Sequence, residues 1–223
     1  MIKLLNYTEL PLTTCGKVAG ICYNTTNPKR YPNIAKRCLS EGHERISEFA
    51  DITIEISGYS AKCIRELYTH IVGTSRLQAS TRYIDYTQQF DYIIPESVKQ
   101  NEEASKIWFL TMANIKKSML DLRELGIPIE DYSNILPLAY DTTMVLKINL
   151  RALIHMFNLR LCTCAYWEIR NLMKELKDIL SQLDDEWKYI SDNYFVPKCV
   201  IEGYCTEVSR NCGIMPIKKD VIK

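Results

Sequence analysis

No stretch of this sequence approaches the roughly 18 consecutive apolar residues that a membrane-spanning helix requires. Its first residues, "MIKLLNYTELPLTTCG", have too short an apolar part and turn polar too soon for a secretory signal. These two absences place the expected site of action in the cytoplasm, with no membrane contact. An excess of one charge is absent too: 28 Lys and Arg against 27 Asp and Glu leave a net charge of +1. That balance argues against the basic field of a nucleic-acid-binding surface and against an acidic disordered chain. No internal repeat or low-complexity tract is visible.

What is present suits a globular protein. Hydrophobic residues make up 47% and charged residues 25% of 223 residues, enough apolar side chain for a substantial core. "DITIEIS" (51–57) alternates polar and apolar residues and reads as a half-buried strand, and "TTMVLKI" (142–148) is a second candidate. "NIAKRCLSEGHERISEFA" reads as a helix interrupted at Gly42. "SAKCIRELYTH" (60–70) starts on a capping serine and puts Cys63, Ile64 and Leu67 on one side.

Residues 95–126, opened by Pro95 and closed by Gly126, predict one long helix with Ile107, Leu110, Ala113 and Ile115 on its core face. "IPIEDYSNILP" predicts a short polar helix or turn. Two more helices are expected over 149–161 and 165–183. The mixture is α+β with helix dominant. Domain-like sequence covers 1–195, followed by an irregular Cys-rich tail over 196–223.

Two constellations are polar where a connection would ordinarily be apolar. In "THIVGTSRLQASTR" (69–82), Gln78, Ser80 and Arg82 are two apart, so an extended backbone would present an amide, a hydroxyl and a guanidinium together. That set suits a phosphorylated ligand; a solvent-facing strand with Arg82 in an ordinary ion pair is the plainer account of this stretch by itself. In "NLRALIHMFNLRL", Arg151 and His155 share one helix face, and Asn149 can cap the helix start. Arg160 would point about 140° away from His155 on a continuing helix. A lone helical histidine is ordinarily structural, and Arg151 and Arg160 could pair with carboxylates such as Glu168 or Asp184.

Together these segments resemble the flavin-dependent thymidylate synthases. "QASTRY" (78–83) matches the end of that family's Arg-His-Arg-x₇-Ser-x-Arg-Tyr signature. Its beginning diverges: Thr69, His70 and Ile71 stand in place of Arg-His-Arg, with a one-residue insertion before Ser80 keeping His70 as the family histidine. Asn149, Arg151, His155, Arg160 and "AYWEI" (165–169) follow the family's second motif, and "DLRELGIPIED", "LPL" and "GHERISEF" resemble further segments in family order.

The resemblance implies a helix-rich single domain with a small antiparallel sheet, assembled as a homotetramer with active sites between chains. It implies conversion of dUMP to dTMP, with methylenetetrahydrofolate, FAD and NADPH taking part. Arg160 matches the catalytic arginine, which also touches substrate. Gln78, Ala79, Ser80, Thr81 and Arg82 match the nucleotide-binding segment. Thr69, His70, Ile71, Gln78, Asn149, Arg151 and His155 match flavin contacts. Ser133 stands where the family often has a phosphate-binding arginine, leaving that role to another cation or dUMP binding weaker. The divergent motif keeps open a relative that hydroxymethylates a pyrimidine nucleotide, and a non-catalytic member that binds metal through thiols.

Nine cysteines at irregular spacing do not form an evident disulfide framework. Cys15, Cys22, Cys38 and Cys63 read as small buried hydrophobes. Cys199, Cys205 and Cys212 are spaced too widely for a zinc ribbon. With Cys162 or Cys164 they would still make four thiolates, so zinc, disulfides and free thiols all remain open.

Overall fold

The computed structural model describes residues 1–221. In chain order it runs β1 (Ile2–Tyr7), α1 (Pro11–Cys22), α2 (Tyr31–Ser40), β2 (Asp51–Ser60), α3 (Ala61–Leu67), β3 (Thr74–Gln78), α4 (Glu96–Lys99), α5 (Glu102–Glu124), α6 (Ile129–Tyr132), β4 (Asp141–Asn149), α7 (Leu150–Arg160), α8 (Trp167–Ser181), α9 (Asp185–Asn193), α10 (Lys198–Glu202) and α11 (Lys218–Val221). Single 3₁₀ turns cover Pro28–Arg30, Glu44–Phe49 and Ser133–Ile135.

The four strands form one sheet in the order β1-β2-β4-β3. Backbone pairs run in opposite senses along each seam: Thr8 N to Asp51 O and Ser57 N to Met1 O; Leu150 N to Ala50 O and Ala61 N to Tyr140 O; Asn149 N to Gly73 O and Ala79 N to Thr143 O. The sheet is therefore antiparallel. In β2, Ile52, Ile54 and Ile56 are buried at alternate positions; in β4, Thr142, Met144, Leu146 and Ile148 are. A period of two with one buried face is what their β-branched alternation demands.

Local signals placed several ends correctly. The Ser60 hydroxyl accepts from Cys63 N at 3.1 Å, and Cys63, Ile64 and Leu67 are buried. Gly42, at φ 81°, separates α2 from the following 3₁₀ turn. The long helix is a correction. It is two helices, because the Asn101 side chain accepts from Ala104 N at 3.0 Å and starts α5 afresh from an extended backbone. An Asn side chain that can bond the backbone ahead of it competes with helix continuation. The core face differs as well. Trp108, Met112, Ile115, Met119 and Leu122 pack inward at alternating four- and three-residue spacing. Ile107 and Leu110 are 68% and 63% exposed, and Ala113 is exposed too.

The chain forms two compact units, with β2, β3 and β4 divided between them. One comprises Met1, Ile56–Tyr68 and Leu77–Val145. Its core is aromatic and sulfur-rich: Tyr86, Phe90, Met112, Met119, Tyr132 and Tyr140 cluster, with Tyr86 edge-on to Tyr140 at 5.2 Å. The other comprises Ile2–Glu55, Thr69–Arg76 and everything from Leu146 on. There α1 packs on α2 and α8 on α9, Phe157 stacks on Phe195 at 4.0 Å, and buried Trp187 donates to Thr8 O at 3.0 Å. Cys15, Cys38 and Cys63 are buried as expected; Cys22, the last residue of α1, is exposed. Among the described residues no helix is long and apolar enough to cross a membrane.

Met119 is 0% exposed at the centre of the first unit's cluster. Met119→Ala is expected to lower unfolding free energy by about 2–5 kcal/mol in urea titration.

Candidate functional site

Helix α7 begins and ends on residues that organise the loop over 69–73. At its start, Asn149 has extended backbone and its side-chain oxygen accepts from Ala152 N at 2.9 Å, a regular N-cap. The Asn149 amide donates to Gly73 O at 3.0 Å. Gly73 sits at φ 72°, and a Cβ there would lie 2.6 Å from the Asn149 carboxamide nitrogen. No other residue fits this approach without strain and displacement.

At the other end, the guanidinium of Arg160 folds onto the same loop. Its Nη2 donates to Thr69 Oγ1 at 2.7 Å and its Nε to His70 Nε2 at 3.0 Å. The helix continues to Arg160, and His70 is approached both by Arg160 and by His155, its ring edge-on to that of His155 with centroids 6.1 Å apart. The His70 carbonyl accepts from Thr74 Oγ1 at 2.7 Å and from Arg76 Nη1 at 3.1 Å, which fixes the loop from its other side.

His70 is 8% exposed. Burial, then the positive charges of Arg160, His155 and Arg76, push its pKa down to about 4. At neutral pH it is therefore an uncharged acceptor, with Nε2 engaged by Arg160 and its proton on Nδ1.

Beside this cluster lies a cavity of about 620 Å³ lined by Thr69–Gly73, Asn149, Arg151, Ala152, His155, Glu44 and Glu48. Its size is that of a cofactor site. Arg151 pairs with neither Glu168 nor Asp184 but with Glu48 at 2.6 Å and Glu44 at 3.5 Å. These carboxylates would oppose a pyrophosphate at first sight. All three side chains are more than a third exposed, and such solvent-screened pairs contribute little. A bound phosphate can take Arg151 over at little cost, so the donor set fits an anionic dinucleotide such as FAD.

The other expected segment lies in the first unit. Gln78 ends β3, with its Nε2 at 3.3 Å from Thr142 Oγ1 and 3.5 Å from Tyr140 OH. The extended backbone expected through Arg82 stops there. Tyr83 N and Ile84 N both donate to Ser80 O, and Ser80 Oγ accepts from Arg82 N at 3.2 Å. Gln78, Ser80 and Arg82 therefore do not share a strand face; a hydroxyl able to bond two residues ahead favours a turn. Ala79 donates its amide to Thr143 O at 2.8 Å, and Thr81 is in the turn. Arg82 Nε meets Glu130 at 3.1 Å with both side chains exposed. Thr69, His70, Ile71, Asn149, Arg151, His155 and Arg160 thus belong to one unit, and Gln78 to Arg82 to the other.

Residue-type reasoning passed over Arg76, Gly73, Glu44 and Glu48. Gly73 carried a usable signal, as a glycine beside two β-branched residues. Arg76 carried none, because its role is set by a backbone carbonyl.

The profile of the family described as thymidylate synthase complementing protein matches residues 3–184. A flavin-dependent thymidylate synthase of Pyrococcus horikoshii is 37% identical, and one of Pyrococcus furiosus 34%, each over 92% of this chain and 89% of its own length. One of Clostridium tetani is 29% identical over 95% of this chain and 92% of its own. Among solved structures, thymidylate synthase X of Helicobacter pylori with FAD and dUMP shares the fold: TM-score 0.69 at 21% identity, covering 87% of this chain and 98% of that one.

A histidine held near 4 in the folded chain and titrating at its ordinary 6.5 when unfolded destabilises the fold as it charges. Between those values the unfolded chain binds the extra proton, so stability is complete above about 6.5 and declines as pH falls toward 4. The loss is on the order of 2 kcal/mol. Unfolding measured across that range should show a shallower slope for His70→Gln than for the wild type; parallel slopes would remove this account of His70.

Proposed function

The chain belongs to the flavin-dependent thymidylate synthase family, and we propose that it makes dTMP from dUMP, with methylenetetrahydrofolate as carbon donor, FAD as cofactor and NADPH as reductant. The observation that supports this reading most is a neutral His70 locked to Arg160 beside a cavity of cofactor size.

In the overall reaction, uracil C5 gains a bond to the methylene carbon and gives up its proton. A hydride completes the methyl group, and tetrahydrofolate leaves. When bound, reduced FAD supplies that hydride. What the protein must contribute is orientation and charge. Building electron density on the pyrimidine is favoured by a fixed positive group on its N3/O2 side. Arg160 suits that role. Its guanidinium keeps its charge at any working pH, and Thr69 and His70 hold two of its nitrogens in one orientation. Because His70 is uncharged, it can accept from Arg160 instead of repelling it.

Thr69, His70, Ile71, Gln78, Asn149, Arg151 and His155 are proposed to hold the flavin, with Arg151 exchanging Glu44 and Glu48 for phosphate. Gln78, Ala79, Ser80, Thr81 and Arg82 are proposed to hold the nucleotide, with Arg82 exchanging Glu130 for the dUMP phosphate. Ser80, whose oxygen accepts the Arg82 amide, is given a hydrogen-bonding role and no covalent one. A homotetramer in the cytoplasm completes the proposal; the described cysteines, all present as thiols, suit a reducing compartment.

The purified protein should turn yellow with FAD and release the C5 hydrogen of dUMP. Arg160→Ala should lower dTMP formation by about 10²–10³-fold. Arg82→Ala should chiefly raise the dUMP KM, by about 10–100-fold for one lost charged contact. An unchanged KM would return Arg82 to a plain surface ion pair, and near-normal turnover of Arg160→Ala would overturn its assignment.

A further inference from the structure

Five of the nine cysteines meet away from the site just described. Cys162 and Cys164 lie in the connection between α7 and α8, Cys199 in α10, and Cys205 and Cys212 in the segment that follows. All five line one cavity of about 20 Å³. A space of that size takes about one water-sized sphere. It is too small for an organic ligand or an iron–sulfur cluster, but it suits a single ion. Cys199 lies close enough to interact with Cys205, Cys162 and Cys212. Cys164 is hydrogen-bonded to the Cys162 side chain and its Sγ also donates to Arg210 O at 3.6 Å, so it stands behind Cys162.

We propose that Cys162, Cys199, Cys205 and Cys212 bind one zinc ion as a tetrahedral tetrathiolate that pins the C-terminal segment to the end of α7. Soft thiolates select zinc over hard cations, and four protein ligands leave no open position, so the site is structural. The segment has reason to need such a pin. Val200, Ile201, Val208 and Ile214 are all exposed, while among its described apolar residues Cys205 alone is buried. A short piece with so little burial cannot offset the entropy of its own ordering.

Much of the scaffold is already set. Cys205 is fixed by backbone bonds from its amide to Pro216 O at 2.7 Å and from Lys218 N to its carbonyl at 2.9 Å. Ala165 N donates to Cys162 O at 3.0 Å, and Arg170 to Thr163 O, which shapes the opposite wall. Arg210, paired with Glu207 at 3.8 Å, lines the cavity beside that carboxylate, and Arg170 braces its rim, so Arg170 is the cation left to offset the negative charge of a zinc tetrathiolate. Among the described residues no three ligands yet stand in liganding geometry. Rotation of the thiols among their staggered χ1 wells is the movement required.

The test uses the full-length protein purified without metal-affinity steps. Elemental analysis should find about one zinc per chain. Cys199→Ser and Cys212→Ser should each lose it and unfold at lower temperature, while Cys164→Ser should keep it. Exchange with cobalt should give the intense visible bands of a tetrahedral thiolate site, which holds even if a serine variant does not fold. Zinc at background in the wild type, zinc retained equally by Cys199→Ser, or a disulfide among these four in a non-reducing peptide map would each overturn the proposal.

Discussion

The contact between Arg160 and His70 works only while the histidine is neutral. With Nε2 unprotonated it accepts the Arg160 Nε–H at 3.0 Å; protonated, it would be a second cation with no acceptor to offer. Burial and the surrounding charges of Arg160, His155 and Arg76 all favour the neutral form. The contact also has a mechanical side. The 69–73 loop is tied to Asn149 at its Gly73 end and to Arg160 at its Thr69 end, so both ends of α7 hold it. The orientation of the Arg160 guanidinium and the rim of the cavity follow from one set of hydrogen bonds.

The arginines are held in two ways. Arg160 donates to the His70 ring and Arg76 to the His70 carbonyl. Arg151 pairs with the exposed carboxylates of Glu44 and Glu48, and in the other unit Arg82 pairs with exposed Glu130. Exposed pairs of this kind are weak and add little to holding either arginine. Thr69 contributes a hydroxyl that orients Arg160.

The thiol cluster follows a different logic from the cavity beside His70. One is a large recess able to admit a ligand; the other is an atom-sized space closed by soft donors. They share α7, whose inner surface forms the recess and whose C-terminal exit carries Cys162. A tail secured at that exit would steady the last turn of α7, where Arg160 sits.

Much of the scaffold could be read without coordinates. The alternation in β2 and β4, the Ser60 and Asn149 caps and the α8 helix are encoded within a few residues by backbone sterics and side-chain oxygens near free amides. Motif order pointed to the family for the same reason, since it needs only spacing along the chain. The misreadings came where a local rule had a close competitor: Asn101 restarting a helix, Ser80 folding a strand into a turn, and the choice of inward face on α5. Which polar groups meet was decided only by the tertiary structure. His70 and Arg160, or Cys162 and Cys212, are far apart in sequence. Their encounter depends on how whole elements pack, and no periodicity in the chain records that.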